Sequence, residues 1–312
     1  MILTGALAAL LIQPSAVSAQ RGRGSQSENL RQAAQLMRDG NEGGALAAVR
    51  RELQENPTST QAANLLDTLG ANAEARAVFQ RQFDTATDPA ARAAAERAIA
   101  MSYAFEGNCA KTIEYEEKVI AYWKTREQAE PQNAFYQEGE MANEGGRVCA
   151  DTGDFDTAEK YYRMGSELGL KEPGNQTHPR SLWDFRLAHA LGRLAARRGN
   201  KAEAERQIAA ARHALDGDPK MAEQQERFFP YLVGYVALYT GDLKQAEAEL
   251  LKATSTQGNQ NDPFMTCLLA MTYEKLGDQA RARELYKKAF DSATAHNPPA
   301  AFVRPFAREK LK

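Results

Sequence analysis

Residues 234–253 read GYVALYTGDLKQAEAELLKA. Gly234 stands seven places before Gly241, and Ala246 and Ala253 stand five and twelve places after it. The same spacing recurs along the chain. Glycines fall at Gly40, Gly70, Gly107, Gly153, Gly199, Gly241 and Gly277. Seven before each is Ala33, Ala63, Ala100, Gly146, Gly192, Gly234 or Ala270, always alanine or glycine. Five after each is Ala45, Ala75, Thr112, Ala158, Ala204, Ala246 or Ala282. Nine after, a bulkier residue is usual (Val49, Phe79, Tyr162, Ile208, Leu250, Tyr286), with Glu116 the exception. Twelve after, the last five copies carry Val119, Gly165, Ala211, Ala253 and Ala289.

This pattern predicts pairs of helices joined by a short turn. The glycine stops the first helix by taking the left-handed conformation that other residues reach only at a cost. The Asn or Asp that often follows (Asn41, Asn108, Asp154, Asn200, Asp242, Asp278) is placed to cap the second helix. Small residues at −7 and +5 let two helix backbones approach, and the bulky residue at +9 fills the space toward the next unit. No such hairpin buries its apolar stripe alone, whereas a stack of them does.

The repeat resembles the tetratricopeptide repeat family. FFPYLVGYVALYTGDLKQAEAELLKA and MTCLLAMTYEKLGDQARARELYKKAF carry the resemblance best, with GGRVCADTGDFDTAEKYYRMG close behind. It implies an all-α, right-handed superhelical solenoid of about seven units over residues 28–296, the best five within 93–296. The two N-terminal copies are degenerate, and the interval of 30 from Gly40 to Gly70 compresses a unit of about 34 residues. Two glycine intervals reach 46, with the surplus in KTREQAEPQNAFYQ and LKEPGNQTHPRSLW, where Pro131, Pro173 and Pro179 interrupt helix. Trp123 and Trp183 border these segments, as plugs between unevenly spaced units or as ligand-stacking rings. The end, HNPPAAFVRPFAREKLK, is expected to form a capping helix over 297–312 that covers the last unit.

At the other end, MILTGALAALLIQPSAVSAQ has an apolar run from Ile2 to Ile12 and small residues at Val17 and Ala19, the pattern of a cleaved signal peptide over 1–19. A polar linker follows over 20–27, and the alternative reading is a buried N-terminal helix. The signal reading implies export to the periplasm or the extracellular space. Export would permit a disulfide; of Cys109, Cys149 and Cys267, the first two lie on adjacent units, to be read either as a bridge or as two small buried hydrophobes. Asn175-Gln176-Thr177 is a formal glycosylation sequon.

A formal net charge of −2 on 312 residues argues against a nucleic-acid binder. His178, His189, His213 and His296 show no ligand spacing, so no metal or other cofactor is expected. No nucleophile elbow, phosphate loop or dinucleotide fingerprint occurs, which points away from an enzyme.

By the same resemblance, the first helix of each unit lines the concave face. Positions six, ten and thirteen before each glycine share one stripe of that helix. They gather Arg147, Arg186, His189, Arg193 and, one turn on, Arg197, next to Phe228, Tyr231 and Tyr235. Arginines beside aromatics suit a peptide or partner protein with an acidic part and an apolar anchor. The opposing reading makes the arginines a solvated face and the aromatics inter-unit core. Some relatives in this family grip a C-terminal carboxylate with a lysine/asparagine/arginine clamp. The nearest matches are Arg97, Asn143 and Arg186, but Met101, Glu144 and Ala190 occupy the places of its polar partners, and Glu144 would repel a carboxylate. The expected role is a non-enzymatic interaction scaffold. The alternatives are an assembly factor acting through the convex face or by self-association and, less favoured, an enzyme on a helical-repeat scaffold.

Overall fold

The computed structural model describes residues 27–174 and 177–312. The signal segment, most of the linker and the asparagine of the sequon lie outside the described residues. Seven helical hairpins follow one another. They are α1 (Glu28–Arg38) with α2 (Glu42–Glu55), α3 (Thr60–Thr68) with α4 (Asn72–Thr85), and α5 (Pro89–Phe105) with α6 (Cys109–Lys124). Next come α7 (Pro131–Thr152) with α8 (Phe155–Gly169) and α9 (Arg180–Arg197) with α10 (Lys201–Gly217). After a short α11 (Pro219–Gln225) and a 3-10 turn, α12 (Phe229–Thr240) pairs with α13 (Leu243–Ser255) and α14 (Pro263–Leu276) with α15 (Gln279–Ser292). α16 (Pro298–Leu311) ends the chain. No strand occurs among the described residues.

The turn rule holds at every hairpin. All seven glycines adopt positive φ, from 69° at Gly107 to 92° at Gly153. The Asn or Asp after the turn accepts the capping N–H in six hairpins, and only Ala71, at the start of α4, offers no side-chain cap. Every small residue at −7 and at +5 is buried. Their neighbours explain why they are small. A Cβ on Gly234 would lie 2.7 Å from Leu250 Cγ, and one on Gly146 would lie 3.1 Å from the Ala158 carbonyl. The twelve-after residues Val119, Gly165, Ala211, Ala253 and Ala289 are buried too. The result is an all-α solenoid whose spine is built of close backbone approaches.

The two long intervals are absorbed in distinct ways. α7 extends to 22 residues, with Pro131 at its start. The loop after α8 is folded onto Glu172, whose buried carboxylate accepts the N–H groups of Thr177 (2.6 Å) and His178 (3.3 Å). Trp183, 1% exposed, fills the gap opened by glycines on α7 and α8: Cβ atoms on Gly139 and Gly169 would meet its ring at 2.5 and 2.1 Å. Trp123 is half-buried and packs edge-on against Tyr122. Cys109, at the start of α6, and Cys149, in α7, form a disulfide with Cα atoms 4.8 Å apart, and Cys267 is a buried thiol.

The C-terminal helix lies on the last unit and reaches further. It packs on α15 and α14, and also on α3, α5 and α7. The curvature of the stack brings the first hairpins within reach of the last, and α16 has apolar residues for both. Its Ala300, Ala301, Val303 and Ala307 share one core with Met101, Ala104, Phe105 and Val148 on one side and Phe264, Leu268 and Tyr286 on the other.

Candidate functional site

Three helices present parallel stripes to one cavity of about 400 Å3. From α7 come Glu140, Asn143, Glu144 and Arg147, spaced three or four apart so that they share a face. From α9 come Arg186, His189 and Arg193, and from the turn into α12 come Phe228 and Tyr231. Phe185, Tyr162 and Gln225 complete the walls, and Asn297, Pro298 and Pro299, at the start of the C-terminal helix, border the opening.

Of the residues singled out by spacing, Arg147, Arg186, His189, Arg193, Phe228 and Tyr231 therefore line a single cavity. Arg197 and Tyr235 do not reach it. They sit one turn further along, where Arg197 donates to the Tyr235 hydroxyl at 3.3 Å and its guanidinium lies over Phe155 and Tyr239. For Arg193 the reading of a solvated face does not hold, since it is 9% exposed and donates to the hydroxyls of Tyr231 (3.0 Å) and Tyr162 (3.3 Å), while Tyr231 and Tyr235 belong to the core between units as the opposing reading had it. Burial disfavours a guanidinium and nearby phenols favour it; here the phenols and Asp151 win, and Arg193 is held charged.

The charges do not balance. Arg97 pairs with Glu144 (Nε to Oε2 3.1 Å) and Arg186 pairs with Glu140. Asp151 is the remaining carboxylate, 3.6 Å from Arg147 Nε, and it serves Arg147, Arg193 and Arg197 together. Around the cavity and the turn beyond it five guanidiniums thus meet three carboxylates, and in the lining itself Arg147, Arg186 and Arg193 face Glu140 and Glu144. Arg147 keeps Nε and Nη2 buried without a hydrogen-bond partner, its guanidinium 4.3 Å from the centre of the Phe264 ring. His189, 8% exposed, leaves Nε2 unpartnered. Burial, reinforced by the Arg193 charge, holds that imidazole well below its ordinary pKa and therefore neutral. Buried guanidinium N–H groups without acceptors are costly even with Asp151 3.6 Å away, so this arrangement favours an incoming anion.

The clamp comparison also acquires a physical reason. Glu144 does not stand free to repel a carboxylate, because Arg97 neutralises it; for the same reason Arg97 is not available to bind one. Sequence reasoning missed Asp151 and the Asn297–Pro299 border. Asp151 lies four residues after Arg147 on α7, a signal that was readable; the border comes from the far end of the chain and leaves none.

Among the described residues no group of three or more His, Cys, Asp or Glu is arranged to hold a metal ion, and no helix is long and apolar enough to cross a membrane. No curated protein matches the chain. The solved structure of a tetratricopeptide repeat protein from Parabacteroides merdae is similar over 91% of this chain and 96% of its own, at 16% identity and a TM-score of 0.45. The tetratricopeptide repeat family profile matches residues 266–296, the unit made by α14 and α15. Six further hairpins precede that unit with the same glycine turn and the same buried small residues, so the chain is an all-α solenoid of helical hairpins whose last unit matches the tetratricopeptide repeat profile.

Proposed function

We propose that the chain is a non-enzymatic scaffold that captures a partner protein through a short segment inserted into the concave cavity. Tetratricopeptide repeats generally mediate protein–protein interaction and are typically non-enzymatic. The finer reading concerns what enters. The observation that carries it is a lining of three guanidiniums (Arg147, Arg186, Arg193) and two carboxylates (Glu140, Glu144), with Nε and Nη2 of Arg147 lacking hydrogen-bond partners, against walls of Phe185, Phe228 and Tyr231. That combination suits a segment with a carboxylate next to an aromatic or large aliphatic side chain. A cavity of about 400 Å3 accepts a few side chains and no folded domain.

Export to the periplasm or the extracellular space belongs to the same proposal. It is supported by the Cys109–Cys149 bridge, a bond that persists in oxidising compartments and is rare in reducing ones.

The test is selection from a displayed random-peptide library on the folded, oxidised protein. Enriched peptides are expected to carry Asp or Glu beside an apolar residue, and binding should fall at least tenfold with Arg147→Gln and weaken with added salt. Enrichment without acidic residues, or binding indifferent to Arg147→Gln, would sink the concave reading and favour a convex surface.

A further inference from the structure

The C-terminal helix occupies a seat that the hairpins build from both ends of the chain. Its polar contacts are with the stack. Arg304 donates from Nε to the Thr68 carbonyl (3.1 Å), from Nη1 to the Phe290 carbonyl (3.1 Å) and from Nη2 to Glu42 Oε1 (3.1 Å). Arg308 Nη2 reaches the same Glu42 oxygen at 3.0 Å. Thr68 ends α3, so its carbonyl is one of those a helix leaves without an internal partner, at the negative end of the helix dipole. One helix-terminal carbonyl and one carboxylate thus form a cradle for two cations four residues apart. The apolar side is equally specific: Phe302 meets Phe264 with ring centroids 5.2 Å apart, Phe306 meets Tyr286 at 6.1 Å, and Ala300, Ala301 and Ala307 let the helix lie close.

We infer that this inner face is a receptor for an amphipathic helix with two cations at i and i+4 and aromatics two residues before each, and that α16 is a resident occupant which a partner helix of that chemistry displaces. The register follows from the occupant itself: Phe302, Arg304, Phe306 and Arg308.

Three features make the resident replaceable. The short connector from Ala293 to Asn297 is the covalent link of α16 to α15, beside the polar contacts of Arg304 with the Phe290 carbonyl and of Arg283 with the Leu311 carbonyl (2.9 Å). Pro305 stands inside the helix and supplies no N–H, so the bond its backbone would give residue 301 is absent; a partner without that proline keeps it. Finally, Arg304 and Arg308 share the single carboxylate of Glu42. Burial, aided by the Arg308 charge, lowers the Arg304 pKa to about 10 against the opposing pull of Glu42 and Asp291. The docked cation is under-compensated. This seat lies over α3, α5 and α14, and its argument does not depend on what enters the cationic cavity, which it adjoins at Asn297–Pro299.

The experiment uses the full chain and, as probe, a fluorescein-labelled synthetic peptide of residues 296–312. Glu42→Ala removes the shared carboxylate from the resident and from the probe alike, so the informative pair is Arg308→Gln protein, which weakens only the resident, and wild type. Arg308→Gln is expected to raise amide exchange over 298–311 at least tenfold while leaving α9 and α10 unchanged, and to bind the probe at least tenfold tighter than wild type does. A probe carrying Arg304→Ala and Arg308→Ala should lose that binding, and a probe with Pro305→Ala should bind more tightly than the unmodified one. The inference is overturned if the 298–311 amides exchange only together with the rest of the stack, if they open and the probe still fails to bind, or if the variant forms a tail-exchanged dimer that excess probe cannot dissociate. If Arg308→Gln loses its helical signal, Lys310→Gln, which breaks the exposed contact to Glu274 (2.7 Å), is measured in the same way and read by the same outcomes.

Discussion

In the sixth hairpin Leu250 fills its place nine after the glycine, fully buried, and its side chain lies against Gly234. In the third hairpin the matching place holds Glu116, fully buried, with both carboxylate oxygens lacking a hydrogen-bond partner. Five after its glycine, where the other hairpins have alanine, stands Thr112, whose hydroxyl donates back to the carbonyls of Asn108 (2.9 Å) and Ala100 (3.3 Å). Both hairpins turn on a positive-φ glycine and start their second helix with a side-chain cap. What differs is the source of stability: apolar burial in one, and in the other a polar interior that is satisfied in part and stapled to the next hairpin by Cys109–Cys149. One geometry can therefore be held by unlike chemistry, provided a covalent constraint offsets the poorer filling.

Removing the staple is the strongest way to break this comparison. The bridge closes a separation of 40 residues, for which the chain-entropy relation gives about 3–4 kcal/mol. Cys109→Ser with Cys149→Ser should lower the urea midpoint and speed amide exchange in α6 and α7 before α12 and α13. Equal loss in both regions would show that the third hairpin does not depend on its staple.

The next largest effect probes the regular hairpin. Gly234→Val places methyl groups where a single Cβ already falls 2.7 Å from Leu250 Cγ and 3.1 Å from the Leu250 amide nitrogen. Leu250 is fully buried and has nowhere to move. Overpacking of this kind costs about 1–3 kcal/mol, read as a fall in thermal midpoint, and Gly234→Ala should cost less. Tolerance of valine would mean that the close approach of α12 and α13 is not what holds them.

These two regions also show what can be read from the chain and what cannot. Turn glycines, caps and small residues are legible because each obeys a rule confined to a few neighbouring residues, so Gly241, Asp242 and Ala246 announce their roles locally. The cavity-lining stripe of α9 is legible for the same reason, since Arg186, His189 and Arg193 share a face by helical spacing alone. The depth at which they sit is not legible, because burial of Arg193 depends on Tyr162 and Tyr231, 31 and 38 residues away. The seat of α16 is the extreme case: Arg304 finds Thr68 and Glu42 across 236 and 262 residues, and no local pattern encodes that meeting. The short α11 passed unnoticed because its seven residues contain no full repeat of an apolar period. The disulfide stayed open in the sequence because pairing needs Cα distances that spacing does not supply.

The smallest effect sharpens the comparison through pH. Burial, with the neighbouring Glu144 charge, raises the Glu116 pKa well above 4.5, although Arg97 pulls the other way. Glu138, buried in the adjoining α7, is raised to about 7 by burial and by the charge of Glu127. A raised carboxyl pKa means that the folded state holds a proton which the unfolded chain releases near pH 4.5. Folding then takes up protons, and stability falls as pH rises above that value, until for Glu138 the loss levels off past about pH 7. Glu138→Gln should flatten that part of the profile. Glu116→Leu should go further and gain about 1–2 kcal/mol at pH 8, since it removes a buried carboxyl that has no partner and gives the third hairpin the filling of the sixth. The gain should shrink toward pH 5, where the wild-type carboxyl is protonated in the unfolded chain to a growing extent. A gain that is equal at both pH values would assign the benefit to packing alone, and a loss at both would mean that Glu116 has a partner in solution which compensates its burial.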